Sequence, residues 1–412
     1  MEPIHNLFLK VLKKALLGES AAACGELAAE EWKQLFALAE MHSVLPLVFD
    51  AVYANPSLSQ LDELWLAGLK RKVRHQVFTQ TLRTKEFLDL NRNLQAAGVK
   101  PLVVKGIICR NLYPCPDQRR SGDEDVLIPV DQLETCHRIL TEFGMEADAG
   151  DMQEAYEISY RKKSGALHVE LHKHLFPPES DAYGDLNQFF AQVFDCAICE
   201  EIQGDSVYTL DWTDHLFYLI CHAFKHFLHS GFGIRQVCDI VLYANTYGNR
   251  VNWGKVLENC RRIRADRFAA ALFRIGETYL VFDPDRAQYP DTWRKIRVDA
   301  LPMLEDLLTG GLYGDADLSR KHSSNITLDA VAARKQGRRT KNAVLASAFP
   351  PASILQGRYP YLKERPWLLP VAWGSRLWTW SVGNGQGGEN SADALRIGNE
   401  RLELLRKYRI LD

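Results

Sequence analysis

Residues 121–130 read SGDEDVLIPV and residues 168–172 read HVELH, and the geometry of these two short runs decides the class of the protein. In an extended chain successive side chains point to opposite faces, so Asp123 and Asp125 fall on one side of a strand, about 6–7 Å apart at the backbone. In the second run Val169 and Leu171 face one way while His168, Glu170 and His172 face the other. If the two strands are neighbours, Glu170 completes a cluster of three carboxylates. Such a cluster suits a divalent cation of the magnesium kind, which takes one or two protein carboxylates and fills its other positions with water and substrate phosphate. Glu170 is also placed to accept the proton of an attacking hydroxyl. Either run alone carries little, because Asp-x-Asp before an apolar stretch is common and HVELH also describes any half-exposed strand.

Upstream, Val103-Val104-Lys105-Gly106 reads as a strand running into a helix start, with IICRNLYP supplying two helical turns and Arg119 and Arg120 following just before the acids. Glycine there lets backbone N–H groups approach a phosphate, and lysine adds a point charge. Downstream, DQLETCHRILTEFG carries a helical face of Leu133, Cys136, His137 and Leu140 that stops at Gly144. Residues 98–210 therefore read as a compact α/β unit. Residues 1–97 are helical in period, and Trp65 to Ala97 forms one long helix ending at Gly98. Helical period returns over 211–310, as a unit covering one side of the strands and leaving a cleft. Residues 311–412 form a less regular extension packed on the core.

The chain has 412 residues, 50 basic against 52 acidic, and a net charge of −2. That balance gives no global field favouring nucleic acid, so nucleic acid is not the expected acceptor. Nine scattered cysteines without a secretory leader point to a reducing cytoplasm. No uncharged apolar run reaches the ~18 residues of a membrane span.

The motifs LVVKGIICRNLYPCPDQRRSGDEDVLIP, HVELHKHL and CHAFKHFLHSGFGIRQVCDIVL, in that order, resemble the uncharacterised nucleotidyltransferase family of bacteria, a distant branch of the polymerase-beta-like superfamily. MHSVLPLVFDAVY and RYPYLKERPWLLPVAW extend the likeness over most of the chain. The resemblance implies an α+β fold, with a polymerase-beta-like core of mixed sheet flanked by helices and helical regions at both ends. It implies Mg2+ or Mn2+ as cofactor, a nucleoside triphosphate (NTP) as substrate, and transfer of a nucleoside monophosphate to a hydroxyl with release of pyrophosphate. The acceptor would be a small molecule, a glycan intermediate or a protein. Asp123, Asp125 and Glu170 match the metal-binding acids. Lys105 and Gly106 stand where the superfamily usually shows Gly-Ser, and Arg119 and His172 accompany them as nucleotide contacts. His222, His226, Arg235 and Asp239 lie in the third matching motif, as cleft-lining groups or as groups that tie two helices together. Glu124 departs from the apolar residue expected between the aspartates, and is either exposed at the strand start or a sign of lost activity. A catalytically inactive nucleotide- or partner-binding module is accordingly the alternative function. A phosphodiester hydrolase using His168, Glu170, His172 and the aspartates is a third.

Five further features are expected to be structural. His222 and His226, four apart on a helix, lack the third ligand of a zinc site. Cys196 and Cys199 have no second pair and should be buried, inert thiols. Trp367, Trp373, Trp378 and Trp380 should fill a core or an interface rather than rest on a membrane. The basic stretch from Arg320 to Lys341 should be a solvated loop, and residues 384–390 a mobile one.

Overall fold

The computed structural model describes residues 1–148, 150, 152, 154–229, 231–310, 318–337, 352–355, 359–362, 364–382 and 391–412. Two compact units emerge, one of Met1–Phe224 with Gly233–Gly311 and one of Lys225–Phe232 with Leu312–Asp412.

The first unit opens with α1 (Pro3–Leu16), α2 (Ala29–Met41) and α3 (Leu45–Val52), which bury Phe8, Leu12, Trp32, Phe36 and Val48. α4 then runs unbroken from Glu63 to Ala96. Asp62 starts it by accepting the Trp65 N–H at 2.9 Å, which satisfies one donor that a first turn leaves open. Gly98 stops it at φ 80°, a left-handed conformation that suits a residue without Cβ.

Five strands follow: β1 (Leu102–Val104), β2 (Glu124–Leu127), β3 (Met145–Ala147), β4 (Glu157–Lys162) and β5 (His168–His172). Their order across the sheet is β1-β2-β5-β4-β3. α5 (Gly106–Arg110) connects β1 to β2, and α6 (Leu133–Glu142) connects β2 to β3. β2 and β5 are parallel, whereas the other neighbours are antiparallel. The register sets Asp125 opposite Glu170 on one side and opposite Val104 on the other. β2 is buried along its whole length, so its two acids must find partners inside the protein.

β6 (Ile198–Ile202) and β7 (Asp205–Thr209) form a separate hairpin. Its two central residues, Gln203 at φ 53° and Gly204 at φ 87°, give the mirror-image turn that follows the natural strand twist. Helices α7 (Trp212–Leu228), α8 (Ile234–Tyr247), α9 (Trp253–Arg262), α10 (Asp266–Tyr279), α11 (Asp291–Arg294) and α12 (Leu301–Gly310) complete the series, the last turn of α7 belonging to the second unit. α8 and α10 approach at Gly276, where a Cβ would lie 2.4 Å from Val241. The architecture is α+β, a mixed sheet flanked by helices.

The second unit pairs the helix Leu318–Lys335 with the helix Ser391–Lys407. A Cβ on Gly398 would come within 2.6 Å of Ile326, and Leu402, Leu405 and Tyr408 are buried. The basic stretch expected as a loop is thus largely helical, because Ile326, Thr327, Ala330 and Val331 give it a buried stripe; residues 338–341 lie outside the described residues. Trp373 packs beside Leu355, Leu362 and Ala372. Trp367 does not fill a core, being 71% exposed. The side chains of Trp378 and Trp380, and residues 384–390, lie outside the described residues. Among the described residues no helix is long and apolar enough to cross a membrane.

Candidate active site

The junction from β1 to α5 sets the floor of the site. Lys105 adopts φ 65°, ψ −105°, a sparsely populated region for a residue with a side chain, costing on the order of 1–3 kcal/mol. A buried chain of hydrogen bonds holds it there. The Lys105 N–H donates to His215 Nε2 at 3.1 Å, His215 Nδ1 lies 3.1 Å from Thr209 Oγ1, and Thr209 donates to the Val103 carbonyl at 2.6 Å. Burial pushes the His215 imidazole down to about 3, so it is neutral and accepts through Nε2. His215 and Thr209 lie more than a hundred residues from Lys105, and no local sequence signal links them to it.

Gly106 answers to Glu124 rather than to a phosphate. A Cβ there would stand 2.1 Å from Glu124 Oε2, an oxygen that accepts the Ile107 N–H at 2.8 Å. The other oxygen, Oε1, takes the Arg110 guanidinium at 2.7 Å. Glu124 is therefore neither exposed nor loose: it is the fully buried half of an ion pair. The Lys105–Gly106 turn consequently has its flanking amides, those of Lys105 and Ile107, already bound within the protein.

The segment leading into β2 is fixed atom by atom. The Ser121 N–H donates to Gln80 at 2.9 Å, its hydroxyl takes Arg110 at 2.8 Å, and its carbonyl takes Arg83 from α4. The preceding carbonyl, of Arg120, takes the Arg235 guanidinium. Gln80 and Arg83 were not legible as site residues, since their partners are main-chain atoms.

With the segment so held, Asp125, Glu170 and His172 converge, each offering a donor atom within 4.8 Å of the others'. His172 Nε2 lies 3.4 Å from Asp125 Oδ1 and 3.8 Å from Glu170 Oε2, and its Nδ1 lies 3.5 Å from Glu157 Oε2. Lys105 Nζ sits 2.8 Å from Asp125 Oδ2 and 3.3 Å from His222 Nε2. Asp123 precedes β2 instead of lying on it and is not one of the converging trio. Its charge nevertheless reaches Lys105 and Glu170.

The electrostatics are uneven. Burial alone would raise Asp125, but the Lys105 ammonium and the His172 imidazole outweigh it and hold the carboxyl well below its usual range. Burial opposes the charge on Lys105, yet Asp125 and Asp123 drive its ammonium above the ordinary value. Glu170 goes the other way: burial first, then Asp123, Asp125 and Glu157, push it up to about 7. His172 is raised as well, because its carboxylate neighbours, Asp125 first, overcome desolvation. His168 is not in the cluster; its Nε2 bonds Ser159 Oγ at 2.7 Å.

Arg119 and Asp239 are buried against each other. The guanidinium meets the carboxylate through Nε at 2.8 Å and Nη2 at 2.6 Å, and the Tyr113 hydroxyl donates to the same carboxylate at 2.8 Å. Arg119 is 2% exposed and Asp239 likewise, so the pair clamps the pre-β2 segment to α8 and has no face left for a nucleotide. His226 lies one turn beyond His222, in the part of α7 that belongs to the second unit, and neither histidine joins a group of three metal donors among the described residues. Cys196 and Cys199 are exposed rather than buried, because β6 turns Cys199 to the outer face of its hairpin.

No curated protein matches the chain. The solved structure of an antigenic nucleotidyltransferase-like protein from Paracoccidioides brasiliensis is 16% identical, with 50% of this chain and 95% of that chain covered and a TM-score of 0.30. Residues 28–280 match the family model described as uncharacterised nucleotidyltransferase. That match spans well over half of the sequence, and the protein belongs to the uncharacterised nucleotidyltransferase family.

Proposed function

We propose that the chain transfers a nucleoside monophosphate from an NTP to a hydroxyl acceptor, with Asp125 and Glu170 holding a divalent cation and Asp123 assisting from the mouth of β2. One observation carries the reading: the parallel register of β2 and β5 places Asp125 opposite Glu170. The donors suit such a cation. Burial first, then the neighbouring carboxylates, raise Glu170 to about 7, an unfavourable charge that a positive ion between them would offset, and His172 Nε2 lies within 3.8 Å of both Asp125 and Glu170. When bound, the cation would neutralise charge on the phosphates and orient them.

The protein's own groups cover the rest. Lys105 Nζ, beside Asp125, is the cation available to phosphate oxygens and offsets charge that grows on the leaving pyrophosphate. The acceptor oxygen forms its bond to the α-phosphorus as the bond to the bridging oxygen breaks, and pyrophosphate departs with that electron pair. Glu170, with a side chain 27% exposed, takes the hydroxyl proton through the oxygen it does not give to the cation. The strained turn at Lys105 keeps these groups in place through His215.

Asp125→Asn tests this. The variant should melt as a folded protein, lose Mn2+-dependent binding of a non-hydrolysable triphosphate, and cut pyrophosphate release at least ~100-fold across candidate hydroxyl acceptors. Undiminished turnover would refute the proposal. A non-catalytic nucleotide binder is the second reading, favoured by the bound amides of Lys105 and Ile107; it predicts metal-dependent binding of triphosphate with no pyrophosphate formed.

A further inference from the structure

His172 is 5% exposed and sits on the same sheet face as Glu170, two residues away on β5. Its two ring nitrogens meet different surroundings. Nδ1 faces Glu157 Oε2 at 3.5 Å, whereas Nε2 faces Asp125 Oδ1 at 3.4 Å and Glu170 Oε2 at 3.8 Å. The Glu157 and Asp125 separations both exceed the usual hydrogen-bond length, the shorter being that to Asp125. A carboxylate beside one imidazole nitrogen is the arrangement that fixes a metal-binding histidine: it anchors the N–H and leaves the other nitrogen as a lone-pair donor. Here that nitrogen faces the Asp125 and Glu170 oxygens, where a proton on Nε2 or a metal ion would each bridge it to them.

The separations fit a metal ion. Ligands ~2.1 Å from an ion are ~3.4 Å apart at a tetrahedral angle and ~3.0 Å apart at an octahedral one. The observed 3.4 and 3.8 Å from His172 Nε2 to the two carboxylates, with all three donors within 4.8 Å of one another, require an inward adjustment to reach shared coordination. The Lys105 ammonium is engaged with Asp125 Oδ2, so it leaves Oδ1 for the ion.

We propose that His172 Nε2 is a direct ligand of the cation held by Asp125 and Glu170, so that the site selects a transition-metal dication such as Mn2+ or Co2+ over Mg2+. This rests on the reading of Asp125 and Glu170 as cation ligands. One nitrogen and two carboxylate donors favour metals that accept imidazole, while Mg2+ prefers oxygen throughout.

Mn2+ binding to the full chain without nucleotide provides the test, by titration and by pulsed electron-spin measurements of nitrogen coupling to the bound ion. Wild type should show an imidazole nitrogen coupling, altered as expected on 15N labelling, a readout that needs no variant. His172→Gln should abolish the coupling and weaken Mn2+ binding ~10–100-fold, with Mg2+ affinity changed less than ~3-fold. Mn2+ bound at this site with no nitrogen coupling would overturn the proposal and leave the cation reading standing, His172 then serving as an imidazolium counter-charge. Mn2+ that fails to bind, or binds equally well to Asp125→Asn, would sink both.

Discussion

Glu170→Gln should make the protein more stable at alkaline pH while removing its function. Glutamine keeps the shape of the side chain and removes the charge that burial, Asp123, Asp125 and Glu157 oppose. A carboxyl whose folded value is raised contributes stability that is complete below its unfolded value and disappears as pH rises through the folded one. Glu170 moves from 4.5 to about 7, and at ~1.36 kcal/mol per pH unit this amounts to about 3 kcal/mol withdrawn from the fold between those limits. Below pH 4.5 both chains carry a neutral group and should be equally stable. Above pH 7.5 the variant should be ahead by about 2–3 kcal/mol, and saturating Mn2+ should narrow the gap because it stabilises wild type more than a variant that has lost one of the three donors. Urea midpoints measured in chelator from pH 5 to 8.5, with and without Mn2+, give the comparison. A variant no more stable than wild type at pH 8 in chelator would refute the claim that like charges crowd this carboxyl.

Two further outcomes concern the buried pairs. Glu124→Ala leaves Arg110, 1% exposed, without a counter-charge and should cost about 3–5 kcal/mol, whereas Glu124→Leu combined with Arg110→Met should recover most of that loss; a cost below ~1 kcal/mol in the single variant would show the pair to be unimportant. Asp239→Asn strips the buried Arg119 of its carboxylate and should lower the melting transition by a comparable free energy. If instead that variant melts normally and loses only triphosphate affinity, the pair belongs to the nucleotide site.

Much of the cluster's geometry follows from strand period. His168, Glu170 and His172 alternate onto one face of β5, and Asp125 sits mid-strand, so a parallel neighbour suffices to bring Glu170 across from it. The part that stayed hidden depends on partners far along the chain. Glu124 looks like a surface residue because nothing near it in sequence announces Arg110, fourteen positions earlier and facing inward from α5. Arg119 reads as a phosphate ligand beside two aspartates, yet its carboxylate is supplied from α8, and only the packed protein shows that the guanidinium is already bound. The glycine at 106 illustrates the same difficulty. Phosphate approach and a buried carboxylate both demand a missing Cβ, so the residue alone does not distinguish them.

The distribution of satisfied and unsatisfied charge separates scaffold from site. Glu124 has an arginine and a backbone N–H; Asp239 has a two-point arginine and a tyrosine hydroxyl. Each is closed, with no capacity for a ligand, and each braces the segment that enters β2. Around His172 the balance fails. Asp125, Glu157 and Glu170 all face one imidazole, and Lys105 counters Asp125 alone at ion-pair distance. A buried excess of negative charge is costly unless something offsets it, and Glu170 is raised by burial first and then by Asp123, Asp125 and Glu157. The closed pairs hold that excess in place, and a group held rigidly in unfavourable charge is where an added positive charge has the largest effect.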